Sequence, residues 1–144
     1  MKTFTRLILV ATLAVFSIGL QAKSIRVLIV DGQNNHNWRA MTPFMKAQLE
    51  KTKMYMVDVS TTPQRTRVPG NLSKEKREAA IKAANELNAK NWKEWRPAFS
   101  KYDVIISNFN GQDWPKPVQT AFENYMKDGG RFVVVHAADN SFSN

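Results

Sequence analysis

Three short runs of β-branched and apolar residues, Ile25–Val30, Asp103–Ser107 and Arg131–Val135, each stop at a cluster of Asp, Asn, Gly or His. Runs of this length with no polar alternation read as strands buried on both faces, the signature of a parallel sheet covered by helices. A weaker fourth strand is expected at Tyr55–Val59, where Tyr55, Val57 and Val59 alternate. Helical patterns fill the gaps. Met41, Phe44, Met45 and Leu49 fall on one helix face, with Thr42 expected as N-cap and Pro43 at the first helical position. Ser73 is expected to cap a polar, alanine-rich helix to about Asn91, whose apolar face (Ile81, Ala84, Leu87) is thin. Val118, Phe122, Tyr125 and Met126 mark a third helix that stops at Asp128-Gly129-Gly130.

Strand and helix in alternation predict an α/β fold with right-handed crossovers. The expected sheet is flavodoxin-like and parallel, with strand order 2-1-3-4. Its switch point lies between the first and third strands, so a ligand is expected at their carboxyl ends. The loops there are 31–38 and 108–114, with 136–144 alongside.

The segment before the first strand has a different character. Lys2 and Arg6 precede an apolar run, Leu7–Leu20, and Gln21-Ala22 offers a small residue for cleavage. The run is short of the roughly 20 residues that span a bilayer. Residues 1–22 therefore read as a signal peptide and 23–144 as the α/β domain, exported to a bacterial periplasm with no stable membrane insertion after cleavage. Removing the signal takes two positive charges from a net +9, leaving +7. With export expected, no nucleic-acid partner is expected despite that excess; the lysine-rich helix face reads as solvated, and the Trp-rich 92–96 segment as either a lid or a packing patch over the insert. The chain has no cysteine, which excludes a disulfide framework, a thiolate zinc site and a cysteine nucleophile within it. Asn144 follows the fourth strand so closely that no covering helix is present, and 23–144 is expected to be the N-terminal portion of a longer, incomplete domain.

The loops carry the chemistry. Asp31-Gly32-Gln33-Asn34-Asn35-His36-Asn37-Trp38 follows the first strand, Asn108-Phe109-Asn110-Gly111-Gln112-Asp113-Trp114 the third, and His136-Ala137-Ala138-Asp139-Asn140-Ser141 the fourth. Amides, an acid and an aromatic ring suit a neutral polyhydroxyl ligand, which needs directed hydrogen bonds and a stacking surface. Neither G-x-G-x-x-G after the first strand nor G-x-x-x-x-G-K-[ST] occurs, which argues against dinucleotides and nucleoside triphosphates.

RVLIVDGQNNHNWRAMTPFMKAQLE, YDVIISNFNGQDWP and DGGRFVVVHAADNSF together resemble the ThuA-like (trehalose utilisation) domain. The resemblance covers residues 25–143 apart from an insert at 61–97, and GGRFVVVHAADN is its most specific part. It implies a fold like that of class I glutamine amidotransferases, a domain continuing past Asn144, and a role in carbohydrate utilisation with disaccharides or keto-sugars as ligands. Class I amidotransferases place a cysteine at the turn where this chain has His136, so cysteine-dependent amide hydrolysis is excluded. His136 is instead expected to act as acid/base beside a sugar carbonyl, oriented by Asp139 or Asp31. Gln33, Asn35, His36, Asn110, Gln112 and Trp114 are the expected substrate-binding residues. His36 and His136 are also candidate zinc ligands, with Asp31 or Asp139 to complete the set. The alternative reading is a periplasmic sugar-binding module without catalysis.

Overall fold

A computed structural model describes residues 23–141; the expected signal peptide at 1–22 lies outside the described residues. The chain runs β1 (Ile25–Asp31), α1 (Trp38–Lys51), β2 (Tyr55–Thr61), α2 (Lys74–Glu94), β3 (Val104–Ser107), α3 (Lys116–Lys127) and β4 (Arg131–Val134). Two 3-10 turns, Phe99–Lys101 and His136–Asn140, precede β3 and follow β4. The four strands form one parallel sheet in the order β2-β1-β3-β4, as the sequence predicts.

Alternate residues of the inner strands go to opposite faces, and the two faces are filled differently. Leu28, Val30 and Ile105 point into an aromatic layer of Phe99, Phe109, Trp114 and Tyr125, closed by Trp92, Trp95, Phe122 and Phe132. Val27, Ile29, Val57 and Ile106 point the other way, into a smaller aliphatic layer against Met45 and Leu49 of α1. Trp92 and Trp95 are therefore packing residues in the aromatic layer. Their rings meet edge-to-face, and the Trp95 indole donates to the Ser60 hydroxyl at 3.0 Å.

Two local expectations need correction. The first helix starts a turn earlier than Thr42: the Asn37 side chain accepts the Ala40 amide and caps a helix that begins at Trp38. Thr42 instead uses its buried hydroxyl to accept a hydrogen bond from Asn108, 3.2 Å away, so its capping chemistry is spent on the β3 loop. Pro43 then falls inside the helix, where the Arg39 carbonyl lacks its usual amide donor. The second concerns β4, expected to be buried on both faces. It is the edge of the described sheet, and Val133 and Val134 are 48% and 41% exposed. An apolar run shows what a strand would bury and cannot show whether anything covers it.

The amino ends of the strands are pinned by charge. Asp103 accepts the Arg26 amide at 2.7 Å and meets its guanidinium at 3.5 Å, and these contacts hold its carboxyl below the usual carboxylate range. Nearby, partial burial and the Asp58 carboxylate, which accepts the Tyr102 phenol at 3.1 Å, push that phenol upward. Among the described residues, no helix is long and apolar enough to cross a membrane.

Candidate functional site

The loops after β1, β3 and β4 meet at the carboxyl end of the sheet, and their amides bind one another. Asn34 donates to both the backbone and side-chain oxygens of Asn108, at 3.2 and 3.3 Å. Asn110 donates to the Asn35 side chain at 3.2 Å, and the Gln33 side chain accepts the Gln112 amide at 3.0 Å. The backbones join too, Asn110 donating to the Gln33 carbonyl at 2.7 Å. The Ser141 hydroxyl donates to the Phe109 carbonyl, tying the third loop to the second. Four expected binding residues, Gln33, Asn35, Asn110 and Gln112, thus act first as a staple between loops. Each of the three side chains in the staple retains hydrogen-bonding capacity on its other amide atom.

Gly32 makes the first of these loops possible. Its φ of +128° suits glycine alone, and a Cβ there would overlap the Thr62 hydroxyl, which packs against the strand end.

His36 and His136, a hundred positions apart in sequence, lie with ring centroids 4.5 Å apart and planes at 87°, an edge-to-face pair. His136 has φ +48°, a left-handed conformation in a residue with a Cβ, at the abrupt turn from β4 into the 3-10 segment. Strained backbone of this kind costs on the order of 1–3 kcal/mol and gathers at functional sites. Both rings are exposed.

The other expected members are placed differently. Asp31 is 2% exposed, faces a hollow of about 290 Å³ beside Trp38, Thr42 and Lys46, and makes no side-chain hydrogen bond to either histidine. Asp139 is exposed on the 3-10 turn and likewise unbonded to His136. Neither carboxylate orients the imidazole in this structure. Strand alternation takes Asp31 into the α1 layer, and the turn carries Asp139 to the surface. Trp114 is 2% exposed, between Trp95, Phe99, Phe109 and Phe122, so it supports the β3 loop from beneath and offers no face for stacking a ligand. Catalytic zinc takes three protein ligands. Among the described residues no group of three or more His, Asp or Glu is placed to hold a metal.

A cleft of about 1370 Å³ opens between these loops and the 61–97 insert. Gln33, Asn34 and Gln112 form its sheet-side wall; Arg65, Arg67 and Arg77 stand on the insert side. Asn88 of α2 holds the insert strap by accepting both the amide and the hydroxyl of Thr66 at 2.9 Å. Arg39 reaches across to the Gln64 side chain at 3.2 Å, its guanidinium 4.2 Å from the Trp38 ring centroid. The histidine pair is not among the lining residues; it joins the loop after β1 to the turn after β4. Sequence reading attached no role to these arginines; the Arg65-x-Arg67 spacing in an extended strap was the available signal.

No family model and no curated protein matches the sequence. Among solved structures the chain is similar to a ThuA-like protein from Parabacteroides merdae, with a TM-score of 0.64 and 28% identity. The match covers 83% of this chain and 35% of that one, so this chain spans about a third of the length of the protein it matches. The ThuA-like resemblance carried by the strand-end loops is thus met in three dimensions, in a sheet with the expected strand order.

Proposed function

We propose that this chain forms the sugar-handling part of an exported, ThuA-like protein of carbohydrate utilisation, with acid–base chemistry at the strand carboxyl ends. The observation that carries the reading is the His36–His136 pair, two imidazole rings brought together by the loop after β1, which also supplies amides to the cleft, and the turn after β4. Similarity to a ThuA-like protein supports the carbohydrate assignment. Imidazole changes charge near neutrality and can accept or return a proton next to a sugar carbonyl.

His136 is the proposed acid/base, held above the strand end by its left-handed turn. His36 is its ring partner and stands beside it to hold a hydroxyl or share the proton. The free amide atoms of Gln33, Asn35 and Asn110 would orient hydroxyl groups, a role in which many weak, directed bonds together fix one sugar face. The ligand class is a disaccharide, with a keto-sugar as the reactive form.

The test is calorimetric binding of a 3-keto-disaccharide together with a turnover assay, on the wild-type chain and on His136→Gln. Binding that survives in the variant while turnover disappears supports the assignment. Turnover unchanged by the substitution removes His136 from the mechanism. Binding with no turnover in either protein leaves a sugar-binding module. That second reading is favoured by one observation: among the described residues no carboxylate is hydrogen-bonded to either histidine.

A further inference from the structure

The sequence suggests a neutral ligand, and the cleft has the opposite electrostatic character. Arg39, Arg65, Arg67 and Arg77 line it, against the single carboxylate of Asp113. Among the described residues none of the four is in an ion pair; pairs such as Arg26–Asp103, Lys46–Glu50, Lys90–Glu94 and Lys116–Glu123 lie elsewhere. Arg39 and Arg77 are positioned by neutral acceptors, the Gln64 side chain and the Gly70 carbonyl. The side chains of Arg65 and Arg67 have no hydrogen-bond or ion-pair partner among the described residues. Their strap is nevertheless fixed, because Thr66 between them is bonded twice to Asn88.

Four exposed arginines lining one hollow with a single carboxylate give it a positive potential that favours an anionic ligand. Guanidinium is the side chain whose planar fork best matches a carboxylate, sulfate or phosphate group. The hollow is concave and shares its other wall with the amides of the sheet-end loops, so the ligand that fits both walls has hydroxyls at one end and an anionic group at the other. A flat or convex basic face would suit a polyanion better.

We propose that the insert wall is an anion-recognition subsite, and that the cleft takes an acidic saccharide whose charged oxygens bind Arg65 and Arg67 with Arg39 and Arg77 beside them. The saccharide half of this statement rests on the function proposed above; the anionic half rests on the arginines alone. The insert at 61–97 then has a role, setting ligand charge.

The experiment is titration calorimetry of the full chain with cellobiose, its C6 uronate, glucose 6-phosphate, a sulfated glucose and inorganic phosphate. A single-stranded oligonucleotide serves as the polymer control. The same series is run on Arg65→Ala/Arg67→Ala, with circular dichroism to verify that it folds as the wild type does. The uronate is expected to bind about tenfold or more tighter than cellobiose, and the double variant to lose that preference while still binding cellobiose. Raising the salt concentration should weaken the uronate and leave cellobiose unchanged. Preference for uronate, phosphate ester or sulfate ester identifies which anionic group is meant. Equal affinity for uronate and cellobiose, a preference that persists in the variant, or tighter binding of the oligonucleotide overturns the proposal. Binding of inorganic phosphate as tight as that of the uronate, lost in the variant and with cellobiose unbound, keeps the anion subsite and fails the sugar reading. Lys93→Ala/Arg96→Ala, basic residues outside the cleft lining, is the matched control and should leave every affinity unchanged.

Discussion

The two walls of the cleft are built on opposite plans. On the sheet side, polar groups are bonded to each other: Asn34 to Asn108, Asn35 to Asn110, Gln33 to Gln112. On the insert side, Arg65 and Arg67 stand without partners among the described residues, on a strap whose backbone is fastened by Thr66. A satisfied network fixes geometry and gives up little on binding, because its hydrogen bonds are already made. An unsatisfied cationic wall does the reverse: it contributes little to folding and has its interactions still to make. The difference separates the wall that positions the chemistry from the wall that selects the ligand.

Breaking the sheet-side wall from below should have the largest effect. Trp114→Ala removes a buried ring from a cluster that includes Trp95, Phe99, Phe109 and Phe122, and is expected to cost about 3–5 kcal/mol in a urea melt. A loss as small as that of a surface substitution would show that the β3 loop does not depend on this ring. Asn108→Ala should cost about 1–3 kcal/mol, because it removes the donor to the buried Thr42 hydroxyl and one of the two acceptors of the Asn34 amide. Hydrogen exchange would report it as faster opening of both loops.

Gly111→Ala sharpens the comparison further. A Cβ at Gly111 would collide with the Gln33 side chain, so the bond from the Gln112 amide should be lost and sugar affinity should fall. The same Cβ would meet the fully buried Phe109 ring, so a loss of stability comparable to that of Asn108→Ala should accompany the change in affinity. Unaltered affinity would mean the staple does not shape the cleft. Arg65→Ala/Arg67→Ala should leave stability within about 0.5 kcal/mol, the range of ordinary surface changes, while altering ligand preference. A large destabilisation would place the arginines in the fold and erase the contrast between the walls.

The smallest expected effect concerns pH, far from both walls. Asp103 has its carboxyl lowered by the Arg26 amide first and the guanidinium second. A lowered folded value means the contribution is complete above the unfolded aspartate value, near 3.9, and is lost as pH falls through the folded value. Asp103→Asn should therefore weaken the chain slightly at neutral pH and flatten the acid limb of its stability curve. An unchanged acid limb would show that the contact adds nothing to folding.

The legible parts of this molecule are those where local pattern and tertiary role coincide. Ile29, Ile105 and Val27 are buried because apolar runs between turn residues have few other destinations in an α/β layer. The convergence of loops 31–38 and 108–114 followed from the strand order. The misreadings arose where one residue type serves two purposes. Trp114 looked like a stacking surface and is a support, since a tryptophan in a polar loop satisfies either pattern. Asp31 looked like an orienting acid, and strand alternation points it into the α1 layer. The arginines of the insert were illegible because their meaning comes from the wall opposite, brought near only by the crossover from β2 to β3.

The measurement that bears most directly on the division between the walls is a histidine-resolved NMR titration of the full chain with the acidic disaccharide. The ring signals of His36 and His136 should both shift on binding and move with a common affinity, and Arg65→Ala/Arg67→Ala should weaken that affinity without changing the shifts at saturation. Imidazole signals that stay fixed while the ligand binds would separate the histidine pair from the cleft and contradict the proposed site.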